Sequence, residues 1–263
     1  LYNKIEDIKA NSTNLEEVIN LNPGDYKITE TIVWGNAAHT KKLTINGNNQ
    51  TINGQDKYRF LHILKGSTLY LNNITIDHCF INRSTSTNGG GAIYNEGETT
   101  INNTIIKNTC SSKSTESFSG GAIRNDANLT IINSKIDNCH ALNGSGGAIY
   151  SSGYYESDQY IESKLIIENS TINNCTTAPN GAGGAIYSSG YAVIENSNFT
   201  NNWARNGGAL YIINETIKAP NGNYIIRNSN FINNTANWAG AIFNYRESNV
   251  TITSSNFTGN KAS

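Results

Sequence analysis

The stretch GGGAIYNEG, Gly89–Gly97, admits two readings: a loop that cradles phosphate, or a structural corner. A phosphate loop is needed once, between a strand and a helix, and neither GxxxxGK[ST] nor GxGxxG occurs in the chain. This stretch does not stand alone. Its core, Gly90–Asn95, returns as GGAIRN at Gly120–Asn125 and as GGAIYS at Gly146–Ser151 and Gly183–Ser188. Looser copies are GGALY at Gly207–Tyr211 and AGAIFN at Ala239–Asn244. Recurrence at intervals of 24 to 37 residues marks a stack of structural repeats.

A second motif alternates with the first. LTIINSKIDNC at Leu129–Cys139 matches LIIENSTINNC at Leu165–Cys175, VIENSNFTNN at Val193–Asn202 and IIRNSNFINN at Ile225–Asn234. VTITSSNFTGN at Val250–Asn260 and LYLNNITIDHC at Leu69–Cys79 fit the same frame. Each repeat holds three short segments of alternating or β-branched character, parted by Asn, Ser and Gly turns. That plan predicts an all-β chain: a right-handed parallel β-helix of the pectate-lyase-like kind, with coils stacked about 4.8 Å apart. Ile93, Ile123, Ile149, Ile186, Leu210 and Ile242 then form one interior ladder, and Ile106, Ile136, Ile172, Phe199, Phe231 and Phe257 a second. Gly91 and its equivalents, lacking a Cβ and free to take positive φ, are read as the corner that enters the strand.

Composition narrows the class. Charged residues are 15 % of the 263, and the net charge of −1 argues against nucleic acid or a polybasic membrane surface as partner. There is no apolar run of about 18 residues, so no membrane span is expected. No leader is visible and Met is absent, which suggests a piece of a longer protein. At the N-terminus TNLE, Thr13–Glu16, reads as a capping box that opens a short amphipathic helix through Leu15, Val18 and Ile19, with Ile5 and Ile8 extending the apolar face. Residues 1–22 are therefore expected to cap the solenoid and residues 23–263 to form it.

The pairing of GGAIYN with NSxFxxN resembles the repeats of chlamydial-type polymorphic outer-membrane proteins. It resembles still more closely the Asn- and Thr-rich adhesin-like surface proteins of methanogenic archaea. The match runs from about Leu69 to the end. PGDYKI at Pro23–Ile28 and LTINGN at Leu43–Asn48 look like opening coils of the same helix. The resemblance implies a secreted, surface-attached protein engaged in adhesion. The pattern departs at Cys79, Cys139 and Cys175, which replace the Asn of FxxN, and at Thr109 in the intervening coil.

The cysteines fall one per coil, with Cys110 one residue out of line. A buried thiol stack is the simplest expectation. Disulfides Cys79–Cys110 or Cys139–Cys175 are the alternative, because neighbouring rungs fall within disulfide reach. His78 and His140, adjacent to cysteines on a strand, point the other way, so no metal and no cofactor is expected. Asn-x-Ser/Thr sequons such as Asn73, Asn169 and Asn233 follow from the composition as readily as from glycosylation.

Some β-helices are polysaccharide lyases or hydrolases, which need paired carboxylates or a Ca²⁺ cluster with a basic residue. Here Asp77, Glu96, Asp126, Asp137, Glu168 and Glu195 look scattered, Asp77 and Asp137 lie two coils apart with Lys107 between, and Arg83, Arg124 and Arg205 are isolated. Catalysis is not expected. With Ile93 inward, strand alternation turns Tyr94 outward, giving a column of Tyr94, Arg124, Tyr150, Tyr187, Tyr211 and Phe243. Inserted stretches, Tyr154–Tyr160 and Asn214–Asn223, follow two of its members. Tyr94, Arg124, Tyr150, Tyr154, Tyr155, Tyr187 and Tyr211 are the candidate binding residues. The expected protein is an extracellular, monomeric, non-catalytic adhesin whose partner is a cell-surface glycan or a protein of another cell. The alternatives are a carbohydrate-active enzyme or a passive stalk.

Overall fold

In a computed structural model, which describes residues 1–35, 41–81, 89–112, 119–214, 223–246 and 248–263, the chain is an all-β parallel solenoid with one short N-terminal helix. A typical coil passes through Asn128–Ile132, Lys135–Asp137, His140–Ala141 and Ile149–Ser151. Stacking these segments builds four parallel sheets, called sheets 1 to 4 in that order, of nine, nine, seven and eight strands among the described residues. Three strands per coil were expected. The additional one, sheet 3, has strands of two to four residues, too short to show alternation.

Register confirms the two ladders. Ile93 pairs with Ile123, Ile123 with Ile149, Ile149 with Ile186, Ile186 with Leu210 and Leu210 with Ile242. The second ladder ends in face-stacked rings, with Phe199–Phe231 centroids at 5.0 Å and Phe231–Phe257 at 4.8 Å. Each buried rung contributes about 1.5–3 kcal/mol of apolar transfer, and no coil can gain this without a neighbour.

The turns explain the asparagines. Asn73, Asn103, Asn133, Asn169, Asn196 and Asn228 take φ of 48° to 53° between sheets 1 and 2. A second left-handed position follows sheet 2, at His78, Asn108, Asn138, Asn174, Asn201 and Asn233. Asn tolerates this region better than other residues with a side chain, because its short amide bonds locally.

Two glycines of the repeat have separate reasons, which corrects the corner assigned to Gly91. The left-handed φ belongs to the first of the pair, +78° at Gly90, while the second is needed for close approach: a Cβ on Gly91 would lie 2.4 Å from the Gly121 carbonyl oxygen.

The N-terminal helix is also displaced from its expected place. It spans Tyr2–Asn11 and buries Ile5 and Ile8. The Thr13–Glu16 capping box does not form. Ser12 Oγ and Asn14 Nδ2 instead donate to Glu17, and Glu16–Asn20 becomes the first strand of sheet 1, in register with Lys42–Asn46. Ile19 faces the core while Leu15 and Val18 are exposed. The β-branched Val18 and Ile19 suit a strand, and long-range pairing outweighs the local helix signal. The solenoid thus starts within the segment read as its cap.

The four cysteines are free thiols. Cys79, Cys139 and Cys175 are fully buried, and Thr109 donates to Cys139 Sγ at 3.1 Å. Cys110 lies out of that column, paired with Phe80 and His140 and partly exposed, so it does not face Cys79. Beyond Cys175 the column continues as asparagines: Cys175 N donates to Asn202 Oδ1, Asn202 N to Asn234 Oδ1 and Asn234 N to Asn260 Oδ1, at 2.9–3.0 Å. In this column each buried thiol donates to the carbonyl two residues before it, at Asp77, Asp137 and Asn173, whereas the amide oxygens accept from backbone N–H groups of the preceding coil.

Candidate functional site: the outward ladder of sheet 4

The outward positions of sheet 4 stack in register as His62, Tyr94, Arg124, Tyr150, Tyr187, Tyr211 and Phe243. Coil spacing matches ring spacing, so the side chains lie face to face. Centroid separations are 4.6 Å for His62–Tyr94, 4.7 Å for Tyr150–Tyr187, 5.3 Å for Tyr187–Tyr211 and 5.4 Å for Tyr211–Phe243. Arg124 fills the gap, its guanidinium 5.8 Å from the Tyr94 centroid and 5.3 Å from that of Tyr150. Such pairs add about 0.5–1.5 kcal/mol each beyond burial. They also occupy the ring faces. From Tyr150 to Tyr211 the ladder turns edges and hydroxyls, not flat faces, away from the sheet.

At its N-terminal end the ladder sinks into a polar cluster. Tyr94 is only 4 % exposed, which corrects its expected place at the surface: alternation gave the direction, and the surrounding groups cover it. Its hydroxyl reaches Glu96 Oε1 at 2.9 Å and Asp126 Oδ2 at 3.0 Å. The phenol has one proton for two acceptors. His62 Nε2 meets Glu96 Oε2 at 2.6 Å, and Arg124 Nε donates to both Asp126 oxygens at 2.9 and 3.1 Å. The hydrogen bond with His62, ahead of the opposing effect of burial, lowers the Glu96 pKa. Burial raises that of Asp126 in spite of Arg124. Burial also works to lower Arg124, and the Asp126 carboxylate overrides it, leaving the guanidinium pKa raised.

Arg59 completes the cluster, and the repeat pattern did not single it out. Leu61 pairs with Ile93, so Arg59 stands where later coils have the second glycine. Its buried guanidinium donates to Gly90 O at 2.9 Å and Gly89 O at 2.6 Å and lies 5.4 Å from the Tyr94 centroid. Burial pushes its pKa down to about 10. The signal was available: aligning RFLH, Arg59–His62, with GAIY, Gly91–Tyr94, marks Arg59 and His62 among the departures from the repeat.

Glu96 and Asp126, which looked scattered, are thus joined through one phenol, with carboxyl oxygens no more than about 6 Å apart, a separation within reach of paired-carboxylate chemistry. Three of the other acids form surface pairs. Lys107 Nζ lies 3.4 Å from Asp77, Lys135 Nζ 2.8 Å from Asp137, and Arg227 Nη2 2.6 Å from Glu195. Arg205 donates to Asn180 Oδ1, and Arg83 lies outside the described residues. Among the described residues, no three His, Cys, Asp or Glu side chains converge to hold a metal ion.

The first inserted stretch folds as a β-hairpin, Tyr154–Glu156 against Gln159–Ile161, closed by Ser157 and Asp158 at positive φ. It rises at the corner between sheets 4 and 1. Glu156 pairs with Lys65 at the same corner three coils back, and Lys65 Nζ lies 5.7 Å from the Tyr154 centroid. The hairpin therefore runs along the corners that carry Glu96 and Asp126. Tyr160 OH meets Ser189 Oγ at 3.4 Å and packs edge-on against Tyr155, which remains 65 % exposed. Residues 215–222 of the second stretch lie outside the described residues.

Fold and ladder together define a repeat-built solenoid whose surface columns recur from coil to coil. Residues 196–213 match the Chlamydia polymorphic membrane protein repeat. That segment contains the left-handed Asn196, the core ring Phe199, the Gly207-Gly208 corner and Tyr211. The match supports a polymorphic-membrane-protein type of repeat over this short piece of the chain. Searches of curated proteins and of solved structures found no match. Among the described residues, no helix is long and apolar enough to cross a membrane.

Proposed function

We propose that the chain is a non-catalytic binding segment of an extracellular, cell-surface adhesin, which attaches to a glycan or protein on another cell. The repeat match and the solenoid fold are consistent with that class. The observation that carries the reading is the juxtaposition of the Tyr150–Tyr187–Tyr211 hydroxyl edge with a Tyr-rich hairpin that presents Tyr155. Aromatic edges with hydroxyls, rigidly spaced by the coils, suit a polar partner at low entropic cost. Labelled protein is applied to cells and to a glycan panel beside Tyr155→Ala and Tyr150→Ala/Tyr187→Ala variants, with thermal stability followed in parallel. Attachment lost with stability retained supports the reading. Attachment unchanged in both variants returns the ladder to structure and favours a passive stalk.

A second reading, a carbohydrate-active enzyme, draws on the phenol shared by Glu96 and Asp126. Here both carboxylates are already engaged, by His62 and by Arg124. Release of oligosaccharide from a polyuronate, abolished by Glu96→Gln, would replace the adhesin reading with this one.

A further inference from the structure

We propose that sheet 1 carries a sugar-binding slot built on Tyr70, a site separate from the sheet 4 ladder and sharing no residue with it. The middle outward column of sheet 1 runs Tyr70, Thr100, Thr130, Ile166 in successive coils. Tyr70 and Ile166 are three rungs apart, about 14 Å at the spacing of stacked strands. Two small threonines stand between them where sheet 4 would place two rings. The result is a depression of about 200 Å³, lined also by Thr68, Glu98, Asn128 and Lys164.

The open ring face distinguishes this site. Every ladder tyrosine is covered by its neighbours. Tyr70 has Lys42 Nζ at 4.9 Å from its centroid, from the preceding coil, and only Thr100 beside it in the next. One face is thus backed by a cation, and the other looks along the solenoid axis into the depression. The floor is amphipathic, with threonine methyl and hydroxyl groups together. Among the described residues neither the Thr100 nor the Thr130 hydroxyl has a hydrogen-bond partner within the protein. The rim adds the Glu98 carboxylate, the Asn128 amide and the Lys164 ammonium, all exposed.

A ligand that matches must offer an apolar face to Tyr70 and several hydroxyls to floor and rim, in a volume below that of ordinary drug-sized pockets. A pyranose ring does both: its axial C–H face stacks on phenol while its equatorial hydroxyls point sideways. The ammonium of Lys164 also admits a uronate carboxylate. A longer glycan has room to continue. On the same coils, a groove of about 350 Å³ at the sheet 1–sheet 2 corner is lined by the amides of Asn73, Asn103, Asn133 and Asn169.

The test uses the full chain and saturation-transfer NMR with three probes: cellotetraose, chitotetraose and tetragalacturonate. At least one is expected to bind at about 1 mM or tighter, the strength of a single stacked ring with a few hydrogen bonds. The neutral and acidic probes separate hydroxyl recognition from carboxylate recognition by Lys164. Tyr70→Ala should weaken binding about tenfold, the loss of roughly one aromatic contact. Thr100→Tyr should fill the slot by extending the stack, abolishing binding while the thermal midpoint holds or rises. Where Thr100→Tyr does not fold, Tyr70→Ala alone decides, read as the roughly tenfold weakening of transfer beside a ligand-induced shift of the Tyr70 ring protons in the wild type. No transfer from any probe overturns the proposal, as does binding left at wild-type strength by Tyr70→Ala or by a folded Thr100→Tyr. Because Tyr150→Ala/Tyr187→Ala should leave slot binding unchanged, failure of the slot and failure of the ladder reading are distinguishable.

Discussion

Gly121→Ala tests the stacking argument most directly. An ideal Cβ at this position would lie 2.1 Å from the Gly147 carbonyl oxygen and 2.6 and 2.7 Å from the His140 carbonyl carbon and nitrogen, whereas ordinary contact begins at 3.4 Å. All three atoms are backbone of the next coil, held by that coil's own hydrogen bonds, so no side chain can swing aside. Relief requires the two coils to part by most of an ångström, which stretches Gly121 N→Gly146 O, Ala122 N→Ala148 O and Ile123 N→Ala148 O from their 2.9–3.1 Å. Overpacking costs about 1–3 kcal/mol, and weakening two or three hydrogen bonds adds about 0.5–1.5 kcal/mol each. The expected destabilisation is about 4 kcal/mol, or roughly 10 °C in the melting midpoint of a chain this long. Far-ultraviolet circular dichroism on heating reads it, with Gly24→Ala as control, since a Cβ there meets nothing closer than 3.7 Å. A Gly121→Ala midpoint within a degree or two of both wild type and control would refute the view that the repeat glycine exists for close coil approach.

Phe231→Ala removes a fully buried ring stacked on both sides and should cost about 3–5 kcal/mol, read by the same melts. Replacing all four cysteines by Ser or Ala should leave the fold in place with modest loss, and in the native wild type Cys79, Cys139 and Cys175 should resist thiol reagents until unfolding. Burial raises Cys110 to about 12, so even this partly exposed thiol should react slowly near neutral pH. Because the folded-state pKa of Glu96 is lowered, its contribution is present above the ordinary carboxylate pKa and is lost as pH falls through the folded value. Acid titration of stability should therefore be flatter in Glu96→Gln than in wild type. Asp126, raised by burial, acts with the opposite sign, gaining stability as pH falls through its folded pKa, so Asp126 and Glu96 variants should bend the profile in opposite directions.

Much of this protein was legible in the sequence because a solenoid turns recurrence in the chain into recurrence in space. Equal residues in successive repeats must stack, so the Ile93–Ile242 ladder, the Phe199–Phe257 ladder and the column of Tyr150, Tyr187 and Tyr211 follow from aligning the repeats and knowing that strands alternate. Features that depend on where the pattern breaks needed the tertiary structure. Thr13–Glu16 carries a sound local helix signal, yet pairing with Lys42–Asn46 takes those residues into sheet 1 and leaves the helix at Tyr2–Asn11. Alternation points Tyr94 outward, but only the packed neighbours show that His62, Arg124, Glu96 and Asp126 enclose it. Acids 30 residues apart in the chain look unrelated until the coil spacing brings Glu96 and Asp126 to one phenol oxygen. The slot beside Tyr70 is likewise a property of what is missing above two threonines. Repetition settled which residues share a column, because stacking energy is periodic; contacts between columns and across corners decided which of them are covered, because those depend on side-chain reach that no repeat encodes.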